Sequence, residues 1–372
     1  MKAMMLRSIY WKAEKPLSSL KLSAGSCLVV LFMTSWMVFP QGSEASGVYQ
    51  QQLAERLPNN VTNPYIDGVV ASFPWSEIEP SEREFRWNII EDAIQPWVKA
   101  GKKIILGIYT GSVGTIGKKT MQATPEWVFA SGAAKMEVPD GTILPIYWDP
   151  MYLQKYKNFV EAFSQQYAGD SRIEFVRIGV GVWGEVVLER WFTRPESAAI
   201  RERWARRGYT PARWVETAEQ VMAIYRQAFQ KTPCAIMLAG IHGDPNGIMR
   251  LAERAVGFGF YLEQNGLKAD WKRHMYTSAI GKIFKAYKGK TQLVLEAWGS
   301  SQRQEVFKTG EVATQGTLLE TVKVGIEYGA DYLLVYPPDI AKADRRNPKI
   351  YDLAYEEALK YAATKPKKPA PR

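Results

Sequence analysis

The chain has 372 residues but little of what most hydrolytic and redox chemistry draws on: two cysteines and two histidines. Cys27 lies within the first 45 residues, so Cys234 stands alone in the remainder and no disulfide can form there. Cys234 opens the apolar run Cys-Ala-Ile-Met-Leu-Ala, where a buried, inert thiol is expected. His242 and His274 are too few and too isolated for a histidine-rich zinc or iron site. Neither a Gly-x-Ser-x-Gly elbow nor a phosphate-cradling glycine loop is present. These gaps argue against serine–histidine hydrolysis and P-loop chemistry, and the expected cofactor and metal content is none.

Positive charge is the one surplus, and it is unevenly placed. Of the net +10, residues 1–45 hold five basic and two acidic residues, and the tail 365–372 holds four basic residues and no acid. Most of the surplus is thus at the two ends, and no basic stripe marks the body for nucleic acid. Nucleic acid is therefore not an expected partner.

The ends read as separate segments. Lys2, Arg7, Lys12, Lys15 and Lys21 precede the uncharged stretch 27–39 (CLVVLFMTSWMVF), and Ser43-Glu-Ala45 follows as a small-x-small pattern. Residues 1–45 are expected to be a cleaved export signal, which makes the body secreted or periplasmic. The alternative is an uncleaved anchor, residues 22–39 holding the body outside the cytoplasmic membrane; only then is membrane a partner. At the other end, residues 362–372, closing in KPKKPAPR, are expected to be a disordered basic tail.

Between the ends, apolar strand-like runs alternate with helical patterns, as in a parallel α/β fold. Strands are expected at 47–49, 68–73, 103–109, 174–182, 234–241, 267–271, 292–296 and 331–336. Helical patterns fall at 88–100, 151–167, 211–230, 246–265 and 317–328. Eight strands suit a closed (β/α)8 TIM barrel, with residues 46–361 as its single domain. The excursions 110–150 and 185–209 exceed ordinary connections and would wall one face of the barrel.

Two of the runs end in a glutamate beside a tryptophan: Phe175-Val-Arg-Ile-Gly-Val-Gly-Val-Trp-Gly-Glu185 and Gln292-Leu-Val-Leu-Glu-Ala-Trp298. The C-terminal ends of barrel strands are where chemistry is placed. Paired carboxylates there are what cleavage of a glycosidic bond needs. Glu185 and Glu296 are the candidate catalytic pair. The structural alternative is that each merely pairs with an arginine such as Arg177, Arg190 or Arg194, although burying Glu296 for structure alone is costly.

Further residues carry the resemblance to a known family. Gly68-Val-Val-Ala-Ser-Phe-Pro-Trp75-Ser-Glu-Ile-Glu79-Pro80, followed by Phe85-Arg-Trp87-Asn, resembles the second βα unit of clan A glycoside hydrolases, in the β-galactosidase-like branch. Gly101-Lys-Lys-Ile-Ile-Leu-Gly-Ile-Tyr109 fits the third strand, and Thr124-Pro-Glu-Trp127 and Tyr147-Trp-Asp-Pro150 resemble elements of that branch. The resemblance implies a retaining glycosidase whose acid/base glutamate ends the fourth strand and whose nucleophile ends the seventh, the places of Glu185 and Glu296. Two departures stand out: Gly184 where the clan usually has Asn, and Arg83 where glycine is common in the Glu-Pro turn.

The expected substrate is an oligo- or polysaccharide, bound on the barrel's catalytic face. Thirteen tryptophans suit sugar stacking, although most tryptophans in any fold are core. Trp75, Trp183, Trp271 and Trp298 are read as strand-end platforms, with Tyr109 and Trp148 beside them and Asp270 for sugar hydroxyls. Trp87, Trp97 and Trp214 are read as core. Asp149 and Asp244 are read as helix caps or acidic candidates, and Glu79 as the organiser of its turn. Two other functions remain in play: a non-catalytic carbohydrate-binding barrel of the cell envelope, and an envelope structural protein.

Overall fold

Eight parallel strands close into a barrel in the computed structural model of the chain. It describes residues 47–51, 58–112, 115–116, 119–120, 122–138, 141–189, 197–274, 277–301, 303–306 and 312–364. The leader, most of the tail, and Arg190 and Arg194 lie outside the described residues. In chain order the strands are β1 (Gly47–Gln51), β2 (Gly68–Pro74), β3 (Lys103–Tyr109) and β4 (Ile173–Arg177). They continue as β5 (Cys234–Met237), β6 (Tyr261–Leu267), β7 (Leu293–Ala297) and β8 (Tyr332–Val335). Each pairs with its sequence neighbours, and β8 closes on β1 through Gly47–Gln50. This is the expected (β/α)8 TIM barrel.

Helices follow seven of the strands among the described residues: α1 (Trp87–Lys99), α2 (Pro150–Tyr167), α3 (Pro211–Ala228), α4 (Gly247–Gly257), α5 (Ala279–Tyr287), α6 (Leu318–Tyr328) and α7 (Leu353–Ala363). Their starts are written locally. Asp149 accepts from Tyr152 N ahead of Pro150, and Thr210 accepts from Arg213 N ahead of Pro211, so a cap and a first-turn proline coincide. Thr317 and Glu320 form a capping box at α6, and Gly329, at φ 91°, ends it in the left-handed conformation. Helix α7 runs to Ala363, so the tail begins later than residue 362.

One expected strand is misplaced. Strand 6 is Tyr261–Leu267, its first five residues inside the stretch read as helix, whereas Ala269–His274 is a 3-10 turn. Helix α4 ends eight residues before the expected boundary, because Gly257 and Gly259 interrupt its apolar face. Glycine is the poorest helix former after proline. Strands 4 and 5 are also shorter than their apolar runs, ending at Arg177 and Met237.

The core has two layers. Between barrel and helices lies the large apolar cluster that includes Val69, Ile104, Val176, Ile236, Leu262 and Leu295. Inside the barrel, Tyr49, Val70, Ile105, Phe175, Ala235, Val294, Tyr332 and Leu334 pack together. Since strand side chains alternate, the next inward positions upward are Gln51, Ser72, Gly107, Arg177, Met237, Glu263, Glu296 and Tyr336. An apolar plug thus gives way to a polar mouth at the C-terminal ends.

Trp75 marks the join between β2 and the outer layer, and it corrects an expectation. It is fully buried, packed on Trp127, Tyr152, Tyr156 and Phe159, and its Nε1 donates to Glu79 at 2.7 Å. No face of it is open to a sugar. Glu79 also accepts from Arg83 N at 2.8 Å, and its carbonyl accepts from Trp127 Nε1. It organises the Glu-Pro turn, as expected.

Arg83 sits at φ 64° in that turn, a conformation costing a non-glycine residue roughly 1 kcal/mol. Its side chain is exposed. Arg83→Gly is therefore expected to leave stability unchanged or raise it by up to about 1 kcal/mol in urea denaturation. A loss larger than that would refute the strain.

Candidate active site

Arg177 is the last ladder residue of β4, and its side chain turns into the mouth, 8% exposed. Its Nε donates to Glu263 Oε2 at 2.9 Å and its Nη2 to Glu263 Oε1, while the same Nη2 donates to Glu296 Oε2 at 2.6 Å. One guanidinium thus spans carboxylates from β6 and β7. Glu296 has two further donors on Oε1: Gln51 Nε2 at 3.0 Å from β1 and Tyr336 OH at 3.4 Å from the end of β8. Glu263 is fully buried and Glu296 nearly so.

Glu185 reaches the mouth by a different route. After Arg177 the chain stays close to β5, with Ile178 N donating to Ala235 O and Val186 N to Met237 O. Between these contacts it makes a tight turn in which Trp183 lies at φ 54° and Gly184 at φ 86°. Gly184 N bonds Gly181 O and Glu185 N bonds Val182 O, closing the turn. Glu185 then bridges to Met237, and its Oε1 accepts from Asn265 Nδ2 at 3.1 Å. Asn265 in turn is the ladder partner of Glu296. The two candidate glutamates are therefore joined across a single strand.

Electrostatics follow from this crowding. Burial raises Glu296, and the neighbouring Glu263 and Glu185 add to the rise. Arg177 opposes it, and the carboxyl settles at about 7. Burial also raises Glu185, against the Asn265 hydrogen bond and the more distant Arg177. Burial alone would depress Arg177, but Glu263 and Glu296 hold its proton firmly. Buried carboxyls raised beside a charge partner at the mouth make this cluster the candidate functional site.

The remaining expected residues divide. Trp183 and Tyr109 line a small cavity with Ser72, Gly107, Arg177 and Met237, so both stand at the mouth. Trp183 is 42% exposed although bulky residues rarely adopt positive φ, a strain typical of functional positions. Trp298 is half-buried, with Arg303 at 4.1 Å and Lys268 at 4.8 Å over its ring, so cations already occupy the surface expected for a sugar. Trp148 packs on Trp204 and Tyr209 and donates to Arg207 O in the outer wall. Asp270 and Trp271 lie in the 3-10 turn after β6 rather than at a strand end. Trp271 packs on Tyr328 of α6.

Asp149 caps α2, and Asp244 is held by Arg250 and Asn246 N, both in local structural roles. Cys234 is buried, and burial pushes its thiol up. Sequence reasoning missed Glu263, Asn265, Gln51 and Tyr336. Arg177 entered only among the arginines that either glutamate could pair with, and its ion pair with Glu296 exists.

Residues 59–198 match the family model for glycoside hydrolase family 42, described as beta-galactosidase. The likeness is to the β-galactosidase-like branch of clan A. The matched stretch includes Trp75, Glu79 and Glu185 but ends before β5, so Glu296 lies beyond it. No curated protein matches the chain. Among solved structures, the catalytic domain of β-amylase from Paenibacillus polymyxa superposes with a TM-score of 0.60 at 12% identity, covering 88% of this chain and 100% of that one. A β-galactosidase from Bacillus circulans sp. alkalophilus gives 0.53 at 10% identity, covering 79% of this chain and 50% of that one. A β-galactosidase from the psychrophilic Marinomonas ef1 gives 0.52 at 13% identity, covering 85% and 59%. At such identities the likeness is one of fold, and the chain spans between half and three-fifths of these β-galactosidase chains. Taken with the family match, it supports a glycoside hydrolase.

A carboxyl raised in the folded state holds its proton more tightly there than in the unfolded chain. Glu296 therefore subtracts from stability as pH rises from its ordinary 4.5 towards about 7. Glu296→Gln removes that titration. The variant's Tm minus that of the parent is expected to be more positive at pH 8 than at pH 5. A difference that does not change with pH would overturn the raised value.

Proposed function

We propose that the chain is an exported glycoside hydrolase that cleaves a β-linked glycan with retention, Glu296 attacking the anomeric carbon and Glu185 serving as acid and then base. The observation that carries this reading is the joining of Glu185 and Glu296 through Asn265, beside the Arg177 cluster, at the C-terminal mouth of the barrel. Three donors on Glu296 favour its ionised form, and a nucleophile needs that form. Burial raises Glu185, whose nearest donor is a neutral amide, so it can carry a proton, while Glu296, raised to about 7, is partly ionised at neutral pH.

The steps follow from this division. The Glu185 proton passes to the glycosidic oxygen as the bond to the anomeric carbon breaks and Glu296 Oε bonds to that carbon. Water then gives a proton to Glu185 and its oxygen to the carbon, releasing Glu296. Positive charge develops on the sugar ring during both steps. Two carboxyls on one guanidinium, with Glu185 nearby, leave the mouth electronegative, which suits that charge. Trp183 and Tyr109 are the aromatic surfaces placed to hold the sugar. Retention calls for carboxyls about 5–5.5 Å apart, against roughly 6.5–9.5 Å for inversion.

One observation favours a second reading, a barrel that binds glycan without cleaving it. Both Glu296 oxygens are already taken by Arg177, Gln51 and Tyr336. Turnover separates the two readings. Hydrolysis of aryl β-glycosides is expected, with Glu296→Gln and Glu185→Gln each lowering kcat by at least about 10²-fold on a substrate with a poor leaving group. Proton NMR of the first-formed sugar is expected to show the β anomer; the α anomer would establish inversion. Glycan binding with no turnover by the parent chain would favour the binding barrel.

Export is the other half of the proposal and rests on the sequence of residues 1–45. The protein recovered from periplasm or medium is expected to begin at Ser46 by mass spectrometry. An intact N-terminus in the membrane fraction would point to the anchor instead.

A further inference from the structure

We infer that Asn265 is a positioning residue for the acid/base step: its amide determines which oxygen of Glu185 carries the transferable proton. The inference rests on the reading of Glu185 as acid/base, and begins with strand 6. Tyr261 packs against the barrel interior and Glu263 bonds Arg177, so Asn265, two further on, is the next inward position. Leu262 and Leu267 both join the outer apolar layer, although their parity differs. The register shift between Asn265 and Leu267 absorbs the extra residue, with Gly266 at φ 102°. Such a bulge re-aims side chains at a barrel rim. Asn265 is thus the last inward residue of β6, and its carbonyl is tied by Gln264 Nε2 at 2.7 Å.

The chemistry follows from what a primary amide NH2 can do. Nδ2 donates and never accepts, so it pairs with Glu185 Oε1 whether Glu185 is protonated or ionised. In the protonated acid, the oxygen that accepts best is the carbonyl oxygen. Donation to Oε1 therefore leaves the proton on Oε2. The same hydrogen bond survives when Glu185 has lost the proton and must take one from water, so it need not break between the two halves of a retaining cycle. An aspartate at this position would accept rather than donate, and would bring another negative charge between Glu185 and Glu296.

The test separates a positioning role from a packing role by leaving-group dependence and pH profile. Asn265→Ala is expected to lower kcat at least tenfold on an alkyl β-glycoside, whose departure needs the proton. On a dinitrophenyl β-glycoside, whose leaving group departs without one, the loss is expected to stay under about threefold. Losing the donor destabilises the ionised form of Glu185, so the basic limb of kcat/KM is expected to move to higher pH, and further in Asn265→Asp. Equal losses on both substrates with an unmoved limb would overturn the inference.

Carbon-13 NMR titration of labelled glutamates gives a readout independent of turnover, with Glu185→Gln assigning the resonance. Glu185 is expected to titrate higher in Asn265→Ala than in the parent. No change would sink this inference even if the parent hydrolyses glycosides. Absence of turnover in the parent alongside a shifted Glu185 would sink the glycosidase reading and leave the contact intact.

Discussion

The mouth of the barrel depends on the buried guanidinium of Arg177. It stands between Glu263 of β6 and Glu296 of β7, both almost wholly removed from water. Carboxylates in such a place are costly unless paired and hydrogen-bonded, and truncating one partner of a buried ion pair leaves the other uncompensated. The cluster is therefore a weak device for stability and a strong one for orientation. It ties β4 to β6 and β7 across the barrel top, where no ladder hydrogen bond can reach. It also fixes the Glu296 carboxyl from one side while Gln51 and Tyr336 fix it from the other.

That constraint explains why strand 6 was hard to read. A strand buried on both sides is ordinarily a continuous apolar run, as β3 and β7 are. Strand 6 reads Tyr-Leu-Glu-Gln-Asn-Gly-Leu, because its inward positions near the mouth must be polar to meet Arg177 and Glu185. Lacking an apolar run and ending in a bulge glycine, it merged with the helix before it. Apart from β1, with its single Val48, the other strands carried their signal in apolar runs, and their order around the barrel followed from right-handed βα alternation. The residues hidden by the misreading are Glu263, which bonds Arg177, and Asn265, which links the two glutamates. That Glu185 and Glu296 stand at the barrel mouth was legible, because each terminates an apolar run.

Aromatic residues were less legible than acids, for a geometric reason. Trp75 and Trp183 both follow apolar runs, yet one is sealed in the outer layer and the other is the most exposed tryptophan among the large apolar side chains that stand open. What separates them is backbone conformation. After β2 the chain turns directly into a short helix, folding Trp75 under the loop that carries Trp127. After β4 it enters a left-handed turn at Trp183 and Gly184, which lifts the indole out of the core. Nothing in the composition of either run encodes that difference. The glycine at 184 is its one trace, since this turn needs a residue at ease with positive φ.

The same turn bears on how protons are shared in the mouth. Glu263 and Glu296 share one guanidinium and Glu185 stands nearby, so full ionisation of all three would leave two uncompensated negative charges in a largely buried space. Burial raises both Glu185 and Glu296, and the neighbouring charge of Glu263 adds to each rise. Two of the carboxyls are held by Arg177 directly; Glu185, delivered by its own turn rather than by the strand, accepts instead from the Asn265 amide. A proton retained on Glu185 reduces the load on Glu296, which then ionises more readily under its three donors. Under the proposed mechanism, the difference between acid and nucleophile would arise less from either residue than from which of them the guanidinium reaches. Setting Glu185 back on a separate turn is what keeps it out of that reach.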